Sequence, residues 1–189
     1  MYYSAEKLVA MLEETRCETD RVGRAFFFAS KKHHGQKRKD GLEPYFCHPV
    51  RVALKVFAHG LNWHGVCLAL LHDTVEDTDT THEEITINFG REIGAGVFAL
   101  TKPGLAYLDR RSTTIREQYL KQLKEAGPQV QTVKCADIVD NCYDIRRVEP
   151  KYAPVYFARC LEILEQLNLA EEKLRSDALA LVRYEMSCK

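Results

Sequence analysis

Residues 64–78 read His-Gly-Val-Cys-Leu-Ala-Leu-Leu-His-Asp-Thr-Val-Glu-Asp-Thr. Val66 to Leu71 is the longest purely apolar run of the chain, and nothing in it alternates with a period of two. It predicts a helix from about His64 to His72 that is buried on all sides. His72 and Asp73 end that helix, and an unpaired carboxylate there is costly to remove from water. Asp73 therefore needs a cation, and a metal ion is one way to supply it.

Working outward, the pattern stays helical. Val22, Ala25, Phe26 and Ala29 repeat at helical spacing before Lys32, and Leu8, Val9, Met11 and Leu12 do so near the start. Pro49 suits the first turn of a helix running to about Gly60. Thr81-x-x-Glu84 is a capping-box pattern for a helix ending near Phe89-Gly90, and a further segment runs to Leu100. Later helices are expected over about 109–126, 129–148, 155–167 and 170–186, with Gly127-Pro128, Pro150 and Pro154 as breaks. The Phe26-Phe27-Phe28 run and Trp63 lie in apolar stripes and are expected in the core. Absent any long alternating segment or repeat, the fold class is all-α. At 189 residues the expectation is one domain over 1–189.

Twenty-seven basic and twenty-seven acidic side chains cancel, which leaves no excess of cations to coat a nucleic acid. The apolar run is far shorter than a membrane span, and no cleavable apolar stretch opens the chain. Seven cysteines without a CxxC pair suggest neither a zinc ribbon nor a disulfide framework. Reduced thiols fit a cytoplasmic location, with no membrane partner. Their expected role is packing, with Cys47 and Cys135 as candidates for a reactive one.

Two other residues join His72 and Asp73 as candidate ligands. His48 precedes Pro49 at a helix start, and Asp137 emerges from an apolar stripe in Val133-Lys-Cys-Ala-Asp-Ile-Val-Asp-Asn141. Two imidazoles and two carboxylates suit Mn²⁺, Fe²⁺ or Zn²⁺ better than Ca²⁺. Such an ion would hold a phosphate oxygen and activate a water. Glu76 lies one helical turn past His72 with Asp77 beside it, placed to orient that water or take its proton; a solvated acidic turn is the other reading. Lys31, Lys32, His33, His34, Lys37, Arg38 and Lys39 form a basic cluster, either a phosphate contact or a solvated helix end. Asn141, four residues after Asp137, either reaches a ribose or serves the local backbone. His59, His64 and His82 read as surface or capping residues.

Taken in order, Lys-Lys-His…Gln36-x-Arg-Lys-Asp-Gly…Pro-Tyr-x-x-His-Pro…Ala-Leu-Leu-His-Asp-Thr-Val-Glu-Asp-Thr…Val-Lys-x-Ala-Asp…Asn resembles the hydrolase domain of the RelA/SpoT homologues. The free-standing form is the small alarmone hydrolases. The likeness runs from about residue 25 to 141, the motif core, with C-terminal helices over 152–186. It implies a single-domain HD-superfamily helical bundle with one Mn²⁺. It also implies hydrolysis of the 3′-pyrophosphate of (p)ppGpp, a small nucleotide, to GDP or GTP and pyrophosphate. On this likeness His48, His72, Asp73 and Asp137 are the metal ligands, and Glu76 and Asp77 the catalytic acid pair. Lys31 and Lys32 match the base- and phosphate-contacting pair, Asn141 the ribose side, and Tyr156 a nucleotide-contacting tyrosine. The chain departs from the family at Thr101-Lys-Pro-Gly104 and Cys135-Ala-Asp-Ile-Val-Asp-Asn141, and Lys31 stacks a base less well than the more usual arginine. These departures leave (p)ppApp and NADPH as alternative substrates. A non-catalytic nucleotide-sensing module is the reading from outside enzymology.

Overall fold

The computed structural model describes residues 19–103 and 113–188. Ten helices are named here: α1 (Thr19–Lys32), α2 (Cys47–Ala58), α3 (Trp63–Leu71), α4 (Thr74–Asp77), α5 (His82–Phe89), α6 (Arg91–Leu100), α7 (Thr113–Glu125), α8 (Pro128–Val148), α9 (Ala153–Gln166) and α10 (Glu172–Ser187). Among the described residues there is no strand, and one isolated bridge joins Lys37 to Pro44. The fold is all-α, as expected. The early stripe at Leu8–Leu12 and the residues at 104–112 lie outside the described part.

Helix α3 is the axle. Every residue from Gly65 to Leu71 is buried, and α1, α2, α6 and α8 all pack on it. Burying so many apolar side chains, at about 1.5–3 kcal/mol each, makes this helix the main anchor of the bundle. Its start is capped by Asn62, whose side chain accepts from the His64 N–H at 3.1 Å. Helix α6 comes close because Gly96 carries no side chain; a Cβ there would meet Leu68.

Local rules set the other boundaries. Thr81 Oγ accepts from the Glu84 N–H at 3.1 Å and starts α5, the capping geometry its motif predicts. Gly90, at φ 89°, makes the left-handed turn into α6. At the end of α6 the Gln122 amide donates to the carbonyls of Phe98, Ala99 and Thr101. Carbonyls at a helix end run short of helical partners, and this bond set holds the chain where Lys102 leaves the helix. Helix α4 is a single turn, too short to show a period, where the sequence suggested only an acidic turn.

One expected core residue is not in the core. Phe27 is 70% exposed, whereas Phe26 and Phe28 pack against the core. At about 100° per residue, Phe27 points opposite the face formed by buried Val22, Ala25 and Ala29.

Candidate metal centre

Three elements deliver the ligand candidates. His48 comes from the first turn of α2, His72 and Asp73 from the break between α3 and α4, and Asp137 from the middle of α8. Each ends or interrupts an apolar surface, so each carries a polar atom into the interior. One donor atom each of His48, His72 and Asp73 lies within 4.8 Å of the others. Asp73 Oδ2 is 3.1 Å from His72 Nε2 and 3.5 Å from His48 Nε2. Asp137 Oδ1 lies 3.2 and 3.8 Å from the Nε2 atoms of His48 and His72.

The imidazoles are locked by their other nitrogens. His48 Nδ1 donates to Asp140 Oδ2 at 2.7 Å, and Asp140 is held in turn by Arg51 at 2.7 and 3.0 Å. His72 Nδ1 donates to the Ala69 carbonyl at 2.8 Å. Both Nε2 atoms are buried and without a hydrogen-bond partner. Buried polar atoms left bare in this way call for an explanation, and the Nδ1 anchors are those that metal-binding histidines use. The residues therefore fit a divalent ion of the Mn²⁺, Fe²⁺ and Zn²⁺ class.

The electrostatics agree. Burial disfavours charge on His48 and His72, but the carboxylates around them outweigh it and raise both above the ordinary histidine range. Asp73 and Asp137 are pushed towards charge neutrality by burial, yet both stay below the usual carboxylate range, Asp73 held there by the two imidazoles and Asp137 by Lys134 and the imidazoles. A pocket that draws protons onto imidazoles draws a metal cation for the same reason.

A cavity of about 440 Å³ opens over His72, Asp73 and Asp137, within the range of small-molecule sites. Glu76 and Asp77 stand on its wall with His72, Asp73 and Asp137. Glu76 is paired with Lys102, through the side-chain ammonium and, at 3.3 Å, the backbone N–H. Asn141 donates to Asp137 Oδ1 at 2.6 Å and accepts from Arg38 at 2.9 Å. Its amide thus holds Asp137 and Arg38 together. Tyr156 also lines the cavity, 6.4 Å from Tyr152 between ring centres.

Lys31 and Lys32 are placed elsewhere. Lys31 is exposed beside Phe27 and Asn88, and Lys32 is bound to Asp79 and Glu84 at 3.1 Å each. The cations on the cavity wall include Lys37, Arg38, Lys39, Lys102, Lys134 and Arg159.

Sequence reasoning gave no role to three residues of the centre, Lys134, Asp140 and Tyr45, and placed a fourth, His33, in the basic cluster. Lys134 binds Asp137 Oδ2 at 2.7 Å with a side chain only 12% exposed. Asp140 orients His48, Tyr45 sits between two carboxylates, and His33 is buried beneath Tyr45 rather than solvated. Lys134 and Asp140 fall three residues either side of Asp137, and that spacing on one helix face was the available signal. No disulfide joins the described cysteines. Burial pushes the Cys135 thiol up to about 12, which leaves it inert at neutral pH.

A family model described as HD domain matches residues 25–168. A guanosine-3′,5′-bis(diphosphate) 3′-pyrophosphohydrolase of Aquifex aeolicus is 39% identical over 137 residues, 72% of this chain and 19% of that protein. A probable GTP pyrophosphokinase of Mycobacterium leprae is 33% identical over 166 residues, 86% of this chain and 21% of that one. The chain therefore spans about a fifth of the length of these relatives. Among solved structures, a metazoan SpoT orthologue that hydrolyses ppGpp superposes with a TM-score of 0.71 at 22% identity, covering 89% of this chain and 97% of the other. A protein of Listeria monocytogenes EGD-e gives 0.62 at 22% identity, covering 76% and 96%. Both share the fold.

Proposed function

The chain belongs to the HD domain family, and on that premise we propose that it hydrolyses the 3′-pyrophosphate of (p)ppGpp, yielding GDP or GTP and pyrophosphate. The metal would be Mn²⁺, held by His48, His72, Asp73 and Asp137. What carries the reading is the pair of buried, unpartnered Nε2 atoms beside two carboxylates under a cation-lined cavity. The activity named for the Aquifex aeolicus relative directs the choice of substrate.

When bound, the ion supplies Lewis acidity towards a phosphoryl oxygen and makes water easier to deprotonate. The chain supplies the rest. Glu76 and Asp77 orient the attacking water and accept its proton, Glu76 being steadied by Lys102. Arg38, Lys39 and Lys102 offset phosphate charge at the wall, taking the part that the family likeness gives to Lys31 and Lys32. Asn141 keeps Asp137 aimed, and Tyr156 with Tyr152 forms an aromatic wall for the nucleoside. Residues 25–141 form the catalytic core of one domain in this reading, and of the helices over 152–186 it is α9 that completes the cavity wall. A small nucleotide substrate, and described cysteines that form no disulfide, fit the cytoplasm. No described helix is long and apolar enough to cross a membrane.

The test is release of pyrophosphate from ppGpp by purified protein, with Mn²⁺, Fe²⁺ and Zn²⁺ supplied in turn. Chelation or Asp73→Ala should abolish turnover, and turnover that persists in Asp73→Ala rejects the metal assignment. Running ppApp alongside for pyrophosphate, and NADPH for orthophosphate from its 2′-phosphate, identifies the nucleotide. Binding of all three without turnover would favour a sensing module instead.

A further inference from the structure

Tyr45 precedes α2, where its backbone N–H donates to the Gln36 carbonyl at 2.9 Å. Its ring lies on buried His33, with centres 4.9 Å apart at 30°, and meets His48 edge-on at 6.0 Å. The Arg38 guanidinium sits 5.8 Å from the ring centre. The layer below is fixed too. His33 Nδ1 donates to Gln36 Oε1 at 2.8 Å, and the Gln36 amide donates to the Asp77 backbone carbonyl at 2.7 Å. So confined, the phenol delivers its hydroxyl to one place, 2.6 Å from Asp73 Oδ2 and 2.6 Å from Asp77 Oδ2.

A phenol carries one hydrogen, so at any moment it serves one of these carboxylates. Asp73 Oδ2 is also the oxygen that faces both imidazoles. Donating to Asp73, the hydroxyl keeps that oxygen turned to the imidazoles; donating to Asp77, it holds the acid beside the centre. We propose that Tyr45 is a positioning residue whose hydroxyl ties the ligand Asp73 to Asp77, so that one side chain aims both carboxylates. The inference rests on the proposed metal centre and adds a residue which that reading leaves unused.

Tyr45→Phe keeps the stack on His33 and removes only the hydroxyl. Two quantities are read: Mn²⁺ affinity without substrate, from the resonance of free Mn²⁺, and kcat and KM on ppGpp at saturating Mn²⁺. Losing an outer partner of a ligand typically weakens metal binding about 10- to 100-fold, and a loosened acid lowers kcat about 10- to 100-fold. Both losses are expected, with KM within about threefold of the parent. 3-Fluorotyrosine at position 45 keeps the hydroxyl and should retain both values.

An unchanged Mn²⁺ affinity, an unchanged kcat, or a 3-fluorotyrosine protein as impaired as the Phe variant each overturns the proposal. If the parent releases no pyrophosphate the functional reading fails by itself, and the Mn²⁺ affinity of Tyr45→Phe still decides the tie to Asp73. Should the Phe variant not fold, the 3-fluorotyrosine protein decides: a stronger donor that leaves Mn²⁺ affinity and kcat both at parent values retains the proposal, and impairment of either overturns it.

Discussion

The end of α1 and the cavity wall are both rich in cations, and they use them in opposite ways. Lys31 and Lys32 are adjacent in sequence, but one faces solvent and the other is spent on Asp79 and Glu84. Arg38, Lys102 and Lys134 come from three distant stretches, and each touches a group of the centre or its support: Asn141, Glu76 and Asp137 respectively. Charge crowded along the chain is mostly solvated. Charge gathered from separate elements interacts most strongly where it is buried, as at Lys134, because little water screens it there.

The contrast is most exposed at Lys134. Removing the partner of a buried carboxylate costs about 3–5 kcal/mol. Lys134→Met should therefore lose about 3 kcal/mol in urea melts without metal, and Mn²⁺ should recover part of the loss by binding the folded state. A loss below about 1 kcal/mol, the scale of a surface pair, would put Lys134 in the same class as Lys32. Arg38→Ala is expected to raise KM for ppGpp about tenfold, or about 1.4 kcal/mol, with a weaker dependence on salt. An unchanged KM would move the phosphate contact to another cation on the wall. The smallest effect is expected from the double variant Lys31→Ala, Lys32→Ala: kcat and KM within about twofold, and stability within about 1 kcal/mol, as for exposed ion pairs. A tenfold rise in its KM would erase the difference between the two regions.

Much of the fold was legible because its determinants are local. The apolar run of α3, the capping box at Thr81 and Pro128 opening α8 act within a few residues of themselves. The ligand candidates were legible as polar residues that leave apolar stripes. Phe27 was misread because adjacency to two packed phenylalanines says nothing about angle round the helix. Tyr45, Asp140 and Lys134 were harder still. Tyr45 and Asp140 matter through contacts 28 and 92 residues away, which no window spans. Lys134 lies three residues from its partner but looks like any surface lysine until burial is known.

The Ala69 carbonyl has two duties. It belongs to the last turn of α3, where carbonyls run out of helical partners, and it takes the Nδ1 proton of His72. Secondary structure and ligand chemistry meet in that one oxygen. Fraying of α3 at this end would free the ring to flip and exchange which nitrogen is bare. Mn²⁺ should accordingly slow amide exchange in the final turn of α3 well before it stiffens the rest of the bundle.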